Sequence, residues 1–236
     1  NEKEEWSVGE PALVVDQVAK KVFLLTYGND WKKISPGHDW KKWIGRTFVQ
    51  ESADNGRTWS APRDIFGDMS FPEWPFGKTV EEKGEIFVTS GSGFQTKDGT
   101  LLVVMNRVGD GWTGDEVCLL GSSDHGRTWR PFGKPAKPGD ESKVVELPDG
   151  TLMVNSRMNA GGRWVHLSRD CGMTWESKPM SALLDAECNA QLMKWGDRLL
   201  FSNCNSKKRE NICVRTSRDW GKTWNEGVVV WPGVGA

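Results

Sequence analysis

The chain has 236 residues and a net charge of −1, from 31 Lys+Arg against 32 Asp+Glu, with both signs interspersed. That balance shows no polyanion-binding signature, so no nucleic-acid partner is expected. No stretch approaches the roughly 18 apolar residues that a bilayer span needs, and the N-terminus, NEKEEWSVGE, has neither the basic start nor the apolar core of a signal peptide.

Two composition values stand out, 14 Trp against a single Tyr, and 27 Gly. A chain so rich in tryptophan is expected to repeat a motif that contains it. In chain order, an apolar strand at 19–27 (AKKVFLLTY) leads to SADNGRTW at 52–59, and then to a long Pro- and Gly-containing connection at 65–85. A second apolar strand, DGTLLVVMN at 98–106, leads to SSDHGRTW at 122–129. DGTLMVNSR (149–157) leads to SRDCGMTW (168–175), and GDRLLFSNC (196–204) to SRDWGKTW (217–224). The four octamers fit S-x-D-x-G-x-T-W at every fixed position and lie 70, 46 and 49 residues apart.

The octamer reads as a turn. Its Asp (54, 124, 170, 219) can accept backbone N–H groups further along, and its Gly (56, 126, 172, 221) supplies a positive φ. Its Trp (59, 129, 175, 224) is expected to bury its ring on the neighbouring sheet. Strands separated by Gly, Asp and Asn turns, with no convincing helical period, predict an all-β chain. Four-stranded units repeating every 45–50 residues predict a β-propeller without an internal domain boundary.

The five cysteines include no C-x-x-C pair and no metal-ligand spacing. Cys204 and Cys213 flank one predicted hairpin turn, where pairing and free thiols both remain open. His38, His125 and His166 are scattered, and neither a metal nor a cofactor is expected. The loops PGHDW (36–40) and GWTGD (111–115) carry no strong signal.

The repeated octamer resembles the Asp-box of sialidases (neuraminidases), which are six-bladed β-propellers. Non-enzymatic propellers carry Asp-boxes too. The more specific likeness is GDESKVVELPDGTLMVNSR (139–157), followed by an Asp-box, a Cys/Asn-containing loop, LLFSN and a basic cluster, SNCNSKKRENICVR. This resembles the second half of bacterial exo-α-sialidases. The resemblance makes Glu141 the partner of the family's nucleophilic tyrosine. Arg157 and Arg209 become the second and third arginines that grip the substrate carboxylate, with the register at Arg209 open by a residue because of Lys207 and Lys208. It also places Asn189 near the sugar and Asp140 at the rim.

The chemistry is coherent. Sialic acid carries an ionised carboxylate on its anomeric carbon, and arginine binds a carboxylate with two parallel hydrogen bonds that lysine cannot supply. A carboxylate nucleophile would be repelled by that charge, so sialidases use a tyrosine, which needs a base because a neutral phenol is a poor nucleophile.

The departures are equally specific. No F/Y-R-I-P segment with the first triad arginine and its following acid/base aspartate is found, and Asp30, Asp39 and Arg46 stand in no matching context. Ala236 lies about where the family's tyrosine would follow, and Tyr27 sits in an apolar strand unsuited to that role. The expectation is therefore a single sialidase-like propeller domain over 1–236, truncated at both ends and supplying about four of six blades. The remaining blades would come from a longer parent chain. The implied function is a retaining exo-α-sialidase acting on sialylated glycans, secreted or periplasmic by resemblance. The alternatives are a non-catalytic propeller binding glycans or protein, and a hydrolase or lyase for another acidic sugar.

Overall fold

The computed structural model describes residues 6–30, 45–67, 86–107, 116–158 and 162–235. The loops at 36–40 and 111–115 and most of the 65–85 connection lie outside the described residues. Four sheets follow one another along the chain, one per Asp-box, so the all-β propeller expectation holds for four blades. The first blade contains β1 (Trp6–Asp16), β2 (Lys21–Asp30), β3 (Gly45–Ser52) and β4 (Arg63–Asp64). The second opens with β5 (Ile86–Val88). Then β6 (Gly91–Ser92) leaves it to pair in parallel with β1, matching Ala12 to Gly91 and Leu13 to Ser92. The second blade continues with β7 (Phe94–Gln95), β8 (Leu101–Arg107), β9 (Glu116–Ser122) and β10 (Arg130–Ala136).

Two antiparallel meanders complete the chain. One is β11 (Ser142–Glu146), β12 (Leu152–Arg157), β13 (Gly162–Ser168) and β14 (Glu176–Leu184). The other is β15 (Gln191–Trp195), β16 (Arg198–Cys204), β17 (Glu210–Ser217) and β18 (Val228–Val234).

The apolar runs are continuous rather than alternating because an inner blade buries both faces. In β8, Leu101, Val103 and Met105 pack with Phe23, Leu25 and Trp129 between the first and second blades. Leu102 and Val104 face the other way, onto Val144 and Val154 of the third. Val145, Met153 and Val165 then meet Leu192, Leu199 and Phe201 of the fourth. At the two ends of the stack the outward faces are exposed yet apolar, with Leu13 and Val15 on β1, and Met193 and Trp195 on β15.

Each Asp-box is a closed hydrogen-bonded turn. The serine Oγ (Ser52, Ser122, Ser168, Ser217) accepts the glycine N–H at 2.7–2.8 Å and donates to the aspartate. The aspartate also takes the threonine N–H at 2.8–2.9 Å and the threonine hydroxyl at 2.6–2.7 Å. These donors, the threonine hydroxyl first, hold Asp54, Asp170 and Asp219 down at about 2. The aspartates are turn locks, as expected.

Ring burial was expected in all four boxes, but only Trp129 is fully enclosed, edge-on to Phe23. Trp59, Trp175 and Trp224 are half-buried. Trp59 and Trp175 turn their indole N–H to backbone carbonyls near the surface, of Gly56 and Lys134 respectively. None of the five cysteines forms a disulfide. Cys204 lies opposite Ile212 and Cys213 opposite Asn203, so the two thiols occupy successive register positions and point to opposite faces.

Candidate active site

The apolar strand β12 ends on an arginine because the chain there leaves the inter-blade core. Arg157 pairs with the residues just before β11: its N–H donates to the Glu141 carbonyl, and its own carbonyl accepts the Asp140 N–H. The register therefore continues two residues beyond the strand, and it brings three of the five expected site residues together. Arg157 Nη1 donates to Glu141 Oε2 at 2.7 Å, and Nε lies 3.5 Å from Asp140 Oδ2. Nη2 makes no hydrogen bond among the described residues, which leaves that nitrogen for a ligand. Burial works against the Arg157 charge, but the Glu141 hydrogen bond and the two carboxylates outweigh it and raise its pKa.

Asp140 is not at the rim, as the sequence had suggested. It is buried, with Oδ1 accepting Asn106 Nδ2 at 2.8 Å and the Glu141 N–H at 2.7 Å. Asn189 borders a cleft of about 330 Å³ beside β11, with Ser90, Lys143, Gln191, Asn203 and Cys204 among its walls. Arg209 is exposed on the β16–β17 turn, with Nη2 on the Glu187 carbonyl at 3.3 Å. That carbonyl belongs to the segment that carries Asn189. Tyr27 is buried against Phe87 in the first core, consistent with its rejection as a nucleophile.

Two basic residues of this region were not singled out from the sequence. Arg163 on β13 is fully buried, donating to Asn155 Oδ1 (2.8 Å), to the Cys188 carbonyl (3.0 Å) and to Asp185 Oδ2 (3.3 Å). Asn203 Nδ2 donates to the same carboxylate at 3.1 Å, so this network ties β13 to the 185–190 segment and to the cleft. Lys143 on β11 is buried at the cleft wall, and burial pushes it down to about 8. Its only sequence signal was a lysine two residues after Glu141, on the same strand face as the inward-pointing Val145. A larger hollow of about 720 Å³ lies between the third and fourth blades, and none of the expected site residues borders it. No three His, Cys, Asp or Glu side chains gather as a metal site among the described residues. No helix is long and apolar enough to cross a membrane among them.

An Asp-box propeller whose third blade joins an arginine to two acidic residues has the architecture of a sialidase-type protein. The chain belongs to the BNR repeat-like domain family, whose model matches residues 1–234. It is 30% identical to a sialidase of Bacteroides fragilis over 237 residues, covering 92% of this chain and 42% of that protein. It is 32% identical to a sialidase of Micromonospora viridifaciens over 203 residues, covering 78% and 30%. Its fold superposes on the Hadza microbial sialidase Hz136 with a TM-score of 0.81 at 28% identity, over 97% of this chain and 46% of that one. The chain thus spans less than half the length of each of these three relatives.

Proposed function

We propose that this chain is part of the catalytic domain of a retaining exo-α-sialidase that removes terminal sialic acid from glycoconjugates. The observation that carries the reading is the Arg157–Glu141 pair. A guanidinium raised in pKa, clamped on one side and open on the other, is built to receive a carboxylate, and the adjacent carboxylate can serve as a base. In this reading Arg157 binds the substrate carboxylate, with Arg209 as a further arginine of the grip, and Asn189 contacts the sugar. Glu141 takes the proton of a tyrosine nucleophile, and Asp140 holds Arg157 in place. The tyrosine, the acid/base aspartate and the first arginine come from chain outside these 236 residues.

The ring has six blades, of which these four are a consecutive run within one domain. The exposed apolar residues Leu13 and Val15 at one end and Met193 and Trp195 at the other support this, since such faces are ordinarily covered. We place the enzyme outside the cytoplasm, with its glycan substrates. The test is hydrolysis of a fluorogenic sialoside by the natural full-length protein and by Arg157→Ala. Turnover that falls by at least a thousandfold in the variant supports the reading. An inactive full-length protein would turn it into a non-catalytic binding propeller.

A further inference from the structure

Lys143 is 3% exposed, yet it pairs with no carboxylate among the described residues. Its Nζ donates to two neutral oxygens, Asn189 Oδ1 at 2.8 Å and the Ser142 carbonyl at 3.2 Å. Burying a cation on neutral acceptors destabilises a fold. The surroundings nevertheless fix it: a Cβ on Gly91 would stand 2.5 Å from Lys143 Cε, so the backbone of β6 presses directly on the lysine stem. The flanking residues tie that segment down, with Thr89 Oγ1 on the Ser142 carbonyl at 3.0 Å and the Ser90 N–H on Glu10 Oε2 at 2.9 Å.

The consequence falls on Asn189. An ammonium can only donate, and so can the Ala190 N–H; both meet Asn189 Oδ1, at 2.8 Å and 2.9 Å. The amide oxygen is therefore spoken for and the orientation of the amide is decided. Nδ2 must lie on the other side, where one N–H reaches Ser90 Oγ at 2.8 Å. The second Nδ2 proton and the third proton of Lys143 remain at the cleft wall.

We propose that Lys143 is a positioning residue that locks Asn189 with its NH₂ toward the cleft, so that this side chain donates to a ligand oxygen and cannot accept from a ligand donor. The role rests on the sialidase reading, in which the oxygen belongs to a substituent of the sugar other than the carboxylate taken by Arg157. A purely structural lysine would stabilise the fold; a positioning one sits there at a cost in stability, and that contrast makes the two separable.

The experiment compares the natural full-length protein with Lys143→Met, Asn189→Asp and Arg157→Ala, using N-acetylneuraminate as the calorimetric probe and thermal unfolding as a second readout. Lys143→Met removes the buried charge, and Asn189→Asp gives it a counter-charge while turning a donor into an acceptor. Both are expected to melt at or above the wild-type temperature yet to bind the sugar at least tenfold more weakly. A Lys143→Met protein that melts several degrees lower would make the lysine structural and overturn the proposal. So would wild-type affinity in both variants while Arg157→Ala loses binding, a result that leaves the sialidase reading intact. A wild-type protein that binds no sugar, like Arg157→Ala, would overturn that reading and this role together.

Discussion

Arg163 and Asp185 face each other 3.3 Å apart with neither side chain exposed to solvent. The pair joins β13 to the segment leading into the fourth blade, and Phe201 stacks beneath the guanidinium at 5.6 Å. Burial opposes the Arg163 charge and lowers its pKa, even against the pull of Asp185. Removing one partner strands the other. Arg163→Ala is therefore expected to lose about 3–5 kcal/mol in urea unfolding. The double variant Arg163→Met/Asp185→Asn is expected to recover at least half of that loss, because no buried charge is left unpaired. Additive losses would show that the two residues do not act as a pair.

The Arg157–Glu141 contact makes a different demand, on geometry rather than charge. Lysine at 157 would keep a cation beside Glu141 and Asp140, but it would give up the planar fork whose free edge is offered to a carboxylate. Within the proposed function, Arg157→Lys is expected to lower kcat/KM for a sialoside by at least a hundredfold. Its melting temperature should stay close to wild type, since the side chain is partly exposed and the acidic partners remain. Near-normal turnover would mean that any cation suffices at this position.

The fold was largely legible because its signals are local. The Asp-box turn is written in eight consecutive residues, and the strand before it in a run whose continuity follows from burial on both faces. The spacing of the boxes carried the blade count. What stayed hidden depends on long-range contacts. Arg163 and Lys143 look like ordinary strand charges until β13 and β11 are placed between blades, and Asp140 looked like a rim residue until Asn106, 34 positions earlier, was seen to hold it. Arg157 and Glu141 were proposed from the family resemblance, and the hairpin register does bring their side chains together. Arg209, on a lysine-rich turn, has no such constraint in sequence, and the structure ties it to the Glu187 carbonyl rather than to that pair.

His166 predicts a pH dependence of stability. It is buried between Ser177 Oγ at 2.8 Å and Ser156 Oγ at 3.0 Å, and burial pushes its pKa down to about 4. As pH falls from 6.5 towards 4, the unfolded chain takes up a proton that the folded chain refuses, so stability falls across that window. The full effect is about 3 kcal/mol. Asp54, Asp170 and Asp219 act in the same direction lower down, losing their contribution between 3.8 and about 2. In chemical unfolding followed against pH, His166→Gln should flatten the upper window and leave the lower one unchanged. An unaltered slope above pH 4 would show that other groups carry it.

The Asp-box glycine offers a last separation, between backbone strain and packing. Gly126 has φ +80°, and a Cβ there would lie 2.2 Å from Phe23 Cε1 in the first inter-blade core. Gly99 has φ +94°, with nothing within 4 Å of the same position. Alanine at 99 meets only the backbone penalty and is expected to cost about 1 kcal/mol. Alanine at 126 meets that penalty and must also displace a buried ring that packs on Trp129, so a total of about 2–4 kcal/mol is expected. Equal losses in the two variants, measured by urea unfolding, would show that the box tolerates a methyl group. The fit of Phe23 against the turn would then contribute little to holding the first two blades together.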